Sequence, residues 1–353
     1  MENYNEIQNL SLSRNNTSVM KGIAICGMLL LHLYTTSFTE SVDSPNRLLF
    51  LLGSLGQVCV SIFLFCSGYG LSVQYRSLPK SLASSTKFIL KRLVKFYANY
   101  WTVFIIFVPI SILLFNRSLE SAYGNHSTFL SLFVDILGIA GYRSFNVTWW
   151  FNRWILFLYL LFPAIYWTTH KIGAFLSAII GFAILLIPFV YEIHLLQYSF
   201  VLGVLWEMEE NSPSILRFIK RNPHVSFILC IVTTVLFYYI KLFPPFQFIS
   251  KIYMDPFIAC SICALVLATS RLIKRPTGVL SFLGSHSSNI YMVHTFFYLY
   301  WFSDWFRNSP TMMNGLGFIV LMVISLLTSI LLELLKKKIG IYDFFKKIIE
   351  RIS

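Results

Sequence analysis

Apolar stretches of about 20 residues recur along the 353-residue chain, and that is the length an α-helix needs to cross a bilayer. Backbone amides in lipid must be satisfied internally, so only helices and closed barrels span a membrane, and these runs are too long for barrel strands. The chain therefore reads as an all-α, polytopic transmembrane helical bundle. We place about ten spans, near 18–38, 49–75, 96–116, 149–169, 172–191, 194–207, 225–241, 252–270, 282–304 and 314–336. The apolar stretch 128–142 contains Asp135 and is short for a span. It reads as an interfacial or re-entrant helix in the outer loop after the third span.

A net charge of +13 raises the question of a polyanionic partner. With the N-terminus inside, 21 of the 28 Lys and Arg fall on the cytoplasmic side of the ten-span layout. That is the positive-inside pattern, and it accounts for the charge without nucleic acid. Both termini are then cytoplasmic. Residues 1–17 form a polar tail, 18–336 the transmembrane domain, and 337–353 a basic amphipathic tail. This last segment reads equally as a helix lying along the inner leaflet or as a solvated tail. The stretch SFTESVDSPNR after the first span has no small-x-small cleavage pattern, so that span reads as an uncleaved helix. All six cysteines lie inside apolar runs, and the Cys260–Cys263 pair has no second ligand pair, so neither a metal site nor a disulfide framework is expected. No nucleophile elbow, phosphate loop, zinc-protease or dinucleotide fingerprint appears.

Polar groups at membrane depth are costly and mark candidate sites. Lys21 and His32 stand eleven residues apart in KGIAICGMLLLH. On a helix that is about 1100° of rotation, roughly 20° beyond three full turns, and about 16 Å of rise. One face thus carries a cation near the inner surface and an imidazole deeper in. Lys21 reads either as a snorkelling span-end residue or as a contact for an anionic ligand. His32 reads either as an interhelical hydrogen-bond partner or as a reactive group. His294 is the second histidine inside a span, with Tyr291 one turn away. Ser67, Gly68 and Gly70 form a small-residue patch that suits close helix packing. Arg153 follows a tryptophan cluster that suits the interface belt, and it either lines a cavity or snorkels outward.

Five segments, in order, carry a resemblance: KGIAICGMLLLH, FLFCSGYGLS, KRLVKFYANYW, TWWFNRWILFLYLLFP and LGSHSSNIYMVHTFF. Together they resemble membrane acyltransferase family 3 over roughly residues 18–305, with Lys21 standing where the family pattern has arginine. The resemblance implies a multi-pass O-acyltransferase of the cell membrane. It would move an acyl group, usually acetyl from cytoplasmic acetyl-CoA, onto a hydroxyl of an envelope polysaccharide or lipid-linked glycan. The acyl-CoA is then a cosubstrate, no cofactor is permanently bound, and the partners are the donor, the carbohydrate acceptor and membrane lipid. The implied roles are His32 as general base and Lys21, Lys91 and Arg92 at the CoA phosphates. His294 would bind, shuttle a proton or transiently carry the acyl group. Arg153, Tyr291 and Ser67 are cavity or oxyanion candidates. A transporter or flippase of a glycan or small anion is the alternative, although no inverted repeat is visible.

Overall fold

A computed structural model of the chain describes residues 12–35, 47–124, 128–185, 191–211, 218–219, 221–243, 254–273, 278–308 and 315–352. Residues 1–11 of the expected N-terminal tail and 186–190 of the expected fifth span lie outside them, as do the outermost residues of several other expected segments. Among the described residues every regular element is helical. Seven helical stretches are long and apolar enough to cross a membrane: Arg14–Tyr34, Leu48–Tyr75, Leu82–Leu114, Val147–Ile172, Pro223–Leu242, Asp255–Leu272 and Leu316–Lys338.

The helices used below are α1 (Arg14–Tyr34), α2 (Cys59–Tyr75), α3 (Leu82–Leu114), α4 (Thr128–Ile136), α5 (Trp150–Ile172), α6 (Tyr191–Asn211), α7 (Pro223–Leu242), α8 (Asp255–Leu272), α9 (Gly278–Ser285), α10 (Ser287–Thr295), α11 (Leu316–Lys338) and α12 (Ile341–Ile352). The three other expected spans are helical but shorter or interrupted. Near 172–191 the described helix is Ala174–Leu185, and the apolar part of α6 is Tyr198–Met208. The stretch 282–304 is divided into α9, α10 and a π-helical segment, Phe296–Trp301. The break between α9 and α10 falls at His286, whose Nδ1 is 2.8 Å from Ser329 Oγ on α11.

The third helix starts fourteen residues before the expected 96, at Leu82. Ser81 adopts extended backbone angles and its hydroxyl accepts the Ser84 N–H at 3.2 Å, an N-cap that starts the helix there. The basic segment KRLVK is consequently helical, and its cations are fixed to particular faces of α3.

The chain divides into two compact units. The first comprises Met1–Met28, Leu55–Leu78 and Leu161–Ser285. Here α2 crosses α6 through glycines: a Cβ on Gly68 would overlap the Phe200 carbonyl, and one on Gly203 the Phe65 carbonyl. Of the small-residue patch of the second span, Gly68 serves close backbone approach, while nothing lies within 4 Å of a Cβ at Gly70. The buried Lys241 and Asp255 pair joins α7 to α8. The buried Glu207 of α6 meets Arg76 at 3.4 Å and His170 at 3.6 Å.

The second unit comprises Leu29–Ser54, Pro79–Leu160 and His286–Ser353. The helix α3 is its spine, with α10 and the amphipathic α12 packed along it. Near the end of α11, Lys336 is buried rather than solvated and bonds Asn99, Asn289 Oδ1 (3.0 Å) and Glu333 Oε1 (2.9 Å). Glu333 also accepts from Tyr342 of α12, so the tail helix is tied to the same network.

Candidate active site

Three rings meet in the second unit. The His32 ring, from the last turn of α1, has its centroid 5.2 Å from that of His294 on α10 and 6.2 Å from Tyr298 in the π segment. The His294 and Tyr298 rings stack at 5.9 Å. His32 is half-buried, and His294 is fully buried.

The ring of His294 is fixed by its own helix. Its Nδ1 lies 2.9 Å from the Tyr291 carbonyl and 3.1 Å from that of Ile290. A carbonyl only accepts, so Nδ1 carries a hydrogen and Nε2 presents its lone pair when the ring is neutral. Thr295 Oγ1 is 3.3 Å from that Nε2, and Thr148 Oγ1 is 2.9 Å from Thr295 Oγ1.

Directly after Thr295 the helix slips from α to π register, an irregularity often found at functional sites. The Phe296 N–H turns to the Val293 and His294 carbonyls. The Met292 carbonyl is met by side chains instead, Trp149 Nε1 at 3.1 Å and Asn146 Nδ2 at 3.3 Å. The segment 144–149 therefore clamps the helix that carries His294.

That segment is held by Asp135. The buried carboxylate accepts from Tyr123 (2.8 Å), Tyr100 (3.1 Å) and the Phe145 N–H (2.5 Å). Burial pushes its pKa up to about 6, against the lowering effect of these three donors. Arg117 donates to the Phe145 carbonyl at 2.8 Å and lies 3.5 Å over the Tyr300 ring, whose hydroxyl accepts the Val147 N–H.

A cavity of about 180 Å³ adjoins α10 in this unit, lined by Arg92, Lys95, Phe96, Asn99, Tyr159, Ser288 and Met292. The first four recur at helical spacing, so one face of α3 supplies two cations and an amide. Asn99 Nδ2 donates to Ser288 Oγ at 2.7 Å, while its Oδ1 accepts from the buried Lys336. Lys336 thus fixes the orientation of the amide in the cavity wall.

The other expected site residues fall elsewhere. Lys91 is half-buried on α3 beside the lining face, and Lys95 takes the position in the cavity wall. Lys21 is half-buried on α1 and Ser67 is half-buried on α2, both in the first unit. Tyr291 donates its hydroxyl to the Thr148 carbonyl at 2.5 Å. Arg153 is directed at the segment around Gly141, where an added Cβ would overlap its guanidinium. Among the described residues no group of three or more His, Cys, Asp or Glu side chains converges as a metal site.

Sequence reasoning missed Lys95, Asn99, Lys336, Thr148, Thr295 and Asn146 as neighbours of the site. For Lys95 and Asn99 the signal was available, since both follow Arg92 at helical spacing. For Thr295 it was not, because a hydroxyl in an apolar helix ordinarily bonds its own backbone, and Thr148 lies in the turn Val147–Trp149, whose docking on a distant helix no local pattern shows.

In comparison with known proteins, a family model described as an acyltransferase domain matches residues 15–334. No curated protein and no solved structure matches the chain.

Proposed function

The chain belongs to acyltransferase family 3 and is a multi-pass membrane acyltransferase, and on that footing we propose that it transfers acetyl from acetyl-CoA to a hydroxyl of an envelope or exported carbohydrate. The observation that carries this reading is the facing pair of imidazoles, His32 and His294, with ring centroids 5.2 Å apart. Transfer from a thioester to an alcohol needs a base for the hydroxyl proton and an acid for the departing thiolate, and imidazole serves both ends. In the proposed reaction the acceptor oxygen attacks the thioester carbonyl as its proton passes to the histidine pair. The C–O bond forms, the C–S bond breaks, and the proton leaves on the CoA thiol.

The cavity beside α10 supports the donor assignment. Arg92 and Lys95 supply positive charge, and the arginine adds the fork that pairs two oxygens of one phosphate. At about 180 Å³ the cavity is smaller than the roughly 300–1,000 Å³ of a whole-ligand pocket, so in this reading it takes one phosphate-bearing part of the donor. Lys21 and Lys91 are further donor contacts on the strength of the sequence pattern. The test is transfer of labelled acetyl from acetyl-CoA to glycans in membranes containing the protein. Label above that of protein-free membranes, competed by unlabelled acetyl-CoA, supports the reading. No label with acetyl-CoA, together with glycan movement across the membrane, supports a transporter instead.

A further inference from the structure

The hydrogen bonds leading away from His294 have a proton count that distinguishes its two charge states. Thr148 Oγ1 donates to Asn146 Oδ1 at 2.8 Å, and the Thr148 N–H donates to the same oxygen at 3.1 Å, which fixes the orientation of that amide. Its nitrogen is then placed to bond the Met292 carbonyl. Thr148, Thr295 and Asn146 are all buried, so water does not substitute for a missing partner.

With Nε2 unprotonated, two hydroxyl hydrogens serve three links: Thr295 donates to Nε2, and Thr148 donates either to Asn146 Oδ1 or to Thr295. Either the two hydroxyl oxygens at 2.9 Å, or Thr148 Oγ1 and Asn146 Oδ1 at 2.8 Å, then meet with no hydrogen between them. With Nε2 protonated, every link has one donor and one acceptor. Nε2–H gives to Thr295, Thr295 gives to Thr148, and Thr148 gives to Asn146. Beyond the added proton, only hydroxyl rotations separate the two charge states. A hydrogen stands in all three links only around the imidazolium, and two buried oxygens held in contact without one repel each other.

The titratable groups facing the ring are His32 from α1 and Tyr298 from the π segment, with Tyr291 of the same helix turned to the Thr148 carbonyl. Two imidazoles this close do not readily carry charge together. The row of hydroxyls therefore biases a single proton toward His294. We propose that Thr295, Thr148 and Asn146 are positioning residues that make His294 the proton-holding member of the histidine pair during transfer. This rests on the reading of His32 and His294 as the transfer site.

The test uses the full-length protein in nanodiscs with ¹⁵N-labelled histidine, the His294 signals being assigned by their loss in His294→Gln. Thr148→Val keeps the side-chain shape and removes the hydroxyl, and Thr148→Ser restores it. The titration midpoint of His294 is expected to fall by about half to one pH unit in Thr148→Val, the worth of one hydrogen bond, and to return in Thr148→Ser. The kcat of acetyl transfer should fall in the same variant with the acetyl-CoA KM unchanged. If Thr148→Val does not fold, Thr295→Val removes the adjoining link and is read in the same way. An equal midpoint in wild type and the valine variant, or no protonation of His294 down to about pH 4 in the wild type, overturns this proposal alone. Full transfer activity in His294→Gln overturns the transfer reading for His294, and this proposal with it.

Discussion

His32 and His294 come from opposite ends of the chain, yet their rings face each other with centroids 5.2 Å apart. The terminal turn of α1 supplies one and the last residues of α10 the other. Both Nδ1 contacts of His294 are to carbonyls of its own helix, so the ring is locked with Nε2 directed away from them. His294 thus presents Nε2, not Nδ1, to its surroundings.

Arg92 and Lys95 line the cavity and Lys91 does not. Arg92→Ala and Lys95→Ala should each raise the KM for acetyl-CoA by about tenfold, the worth of one charge-assisted contact to phosphate. Lys91→Ala should have a smaller effect. Steady-state kinetics on the three variants checks this, and equal KM values throughout would remove the cavity from donor binding.

Lys336 orients Asn99 in the same cavity wall while neutralising Glu333. Lys336→Ala leaves both groups without that donor. The expected result is a thermal midpoint lower by a few °C, together with a raised acetyl-CoA KM. A loss of stability with an unchanged KM would make Lys336 structural only.

Asp135 titrates inside the folded loop at about 6, above the ordinary 3.8, because burial disfavours its charge. The folded protein therefore holds this proton more readily than the unfolded chain. The contribution to stability is fully present below pH 3.8 and is lost as pH rises through about 6. Two pKa units correspond to about 3 kcal/mol, an order-of-magnitude figure. Asp135→Asn stays neutral, so thermal midpoints measured from about pH 4 to about pH 7 should vary less with pH than in the wild type. An identical pH slope in the two proteins would contradict this.

Alanine at Gly68 or Gly203 should lower stability, since each Cβ would overlap a carbonyl of the facing helix. Gly70→Ala is the control, because nothing lies within 4 Å of its added methyl. Thermal denaturation of the three variants should separate the first two from the third.

Much of the architecture is legible in the sequence because a helix needs about 20 apolar residues to cross a bilayer, although three of the ten expected spans are shorter or interrupted helices. The apolar run from Gly22 to Tyr34 suffices to put Lys21 and His32 on one helix, as α1 does. Helix starts are less legible: the cap at Ser81 competes with several neighbouring serines, and the basic segment after it reads as a loop until the cap is seen. The slip to π register after Thr295 is invisible in FFYLYW, because it depends on Trp149 and Asn146 meeting the Met292 carbonyl from a distant segment. Lys336 reads as a cytoplasmic span-end cation from KKK alone, and its burial depends on Asn99 and Asn289 of two other helices. Asp135 stands out in the sequence as an acid in an apolar run, but the Tyr100, Tyr123 and Phe145 donors that hold it are brought together only by the folded loop.

The most direct test of the histidine pair is transfer of labelled acetyl by purified protein in nanodiscs, comparing wild type with His32→Ala and His294→Gln at equal folded amounts. If the pair moves the proton of the reaction, each substitution lowers kcat by about 10²-fold or more, with the acetyl-CoA KM little changed. Wild-type turnover in both variants would contradict it.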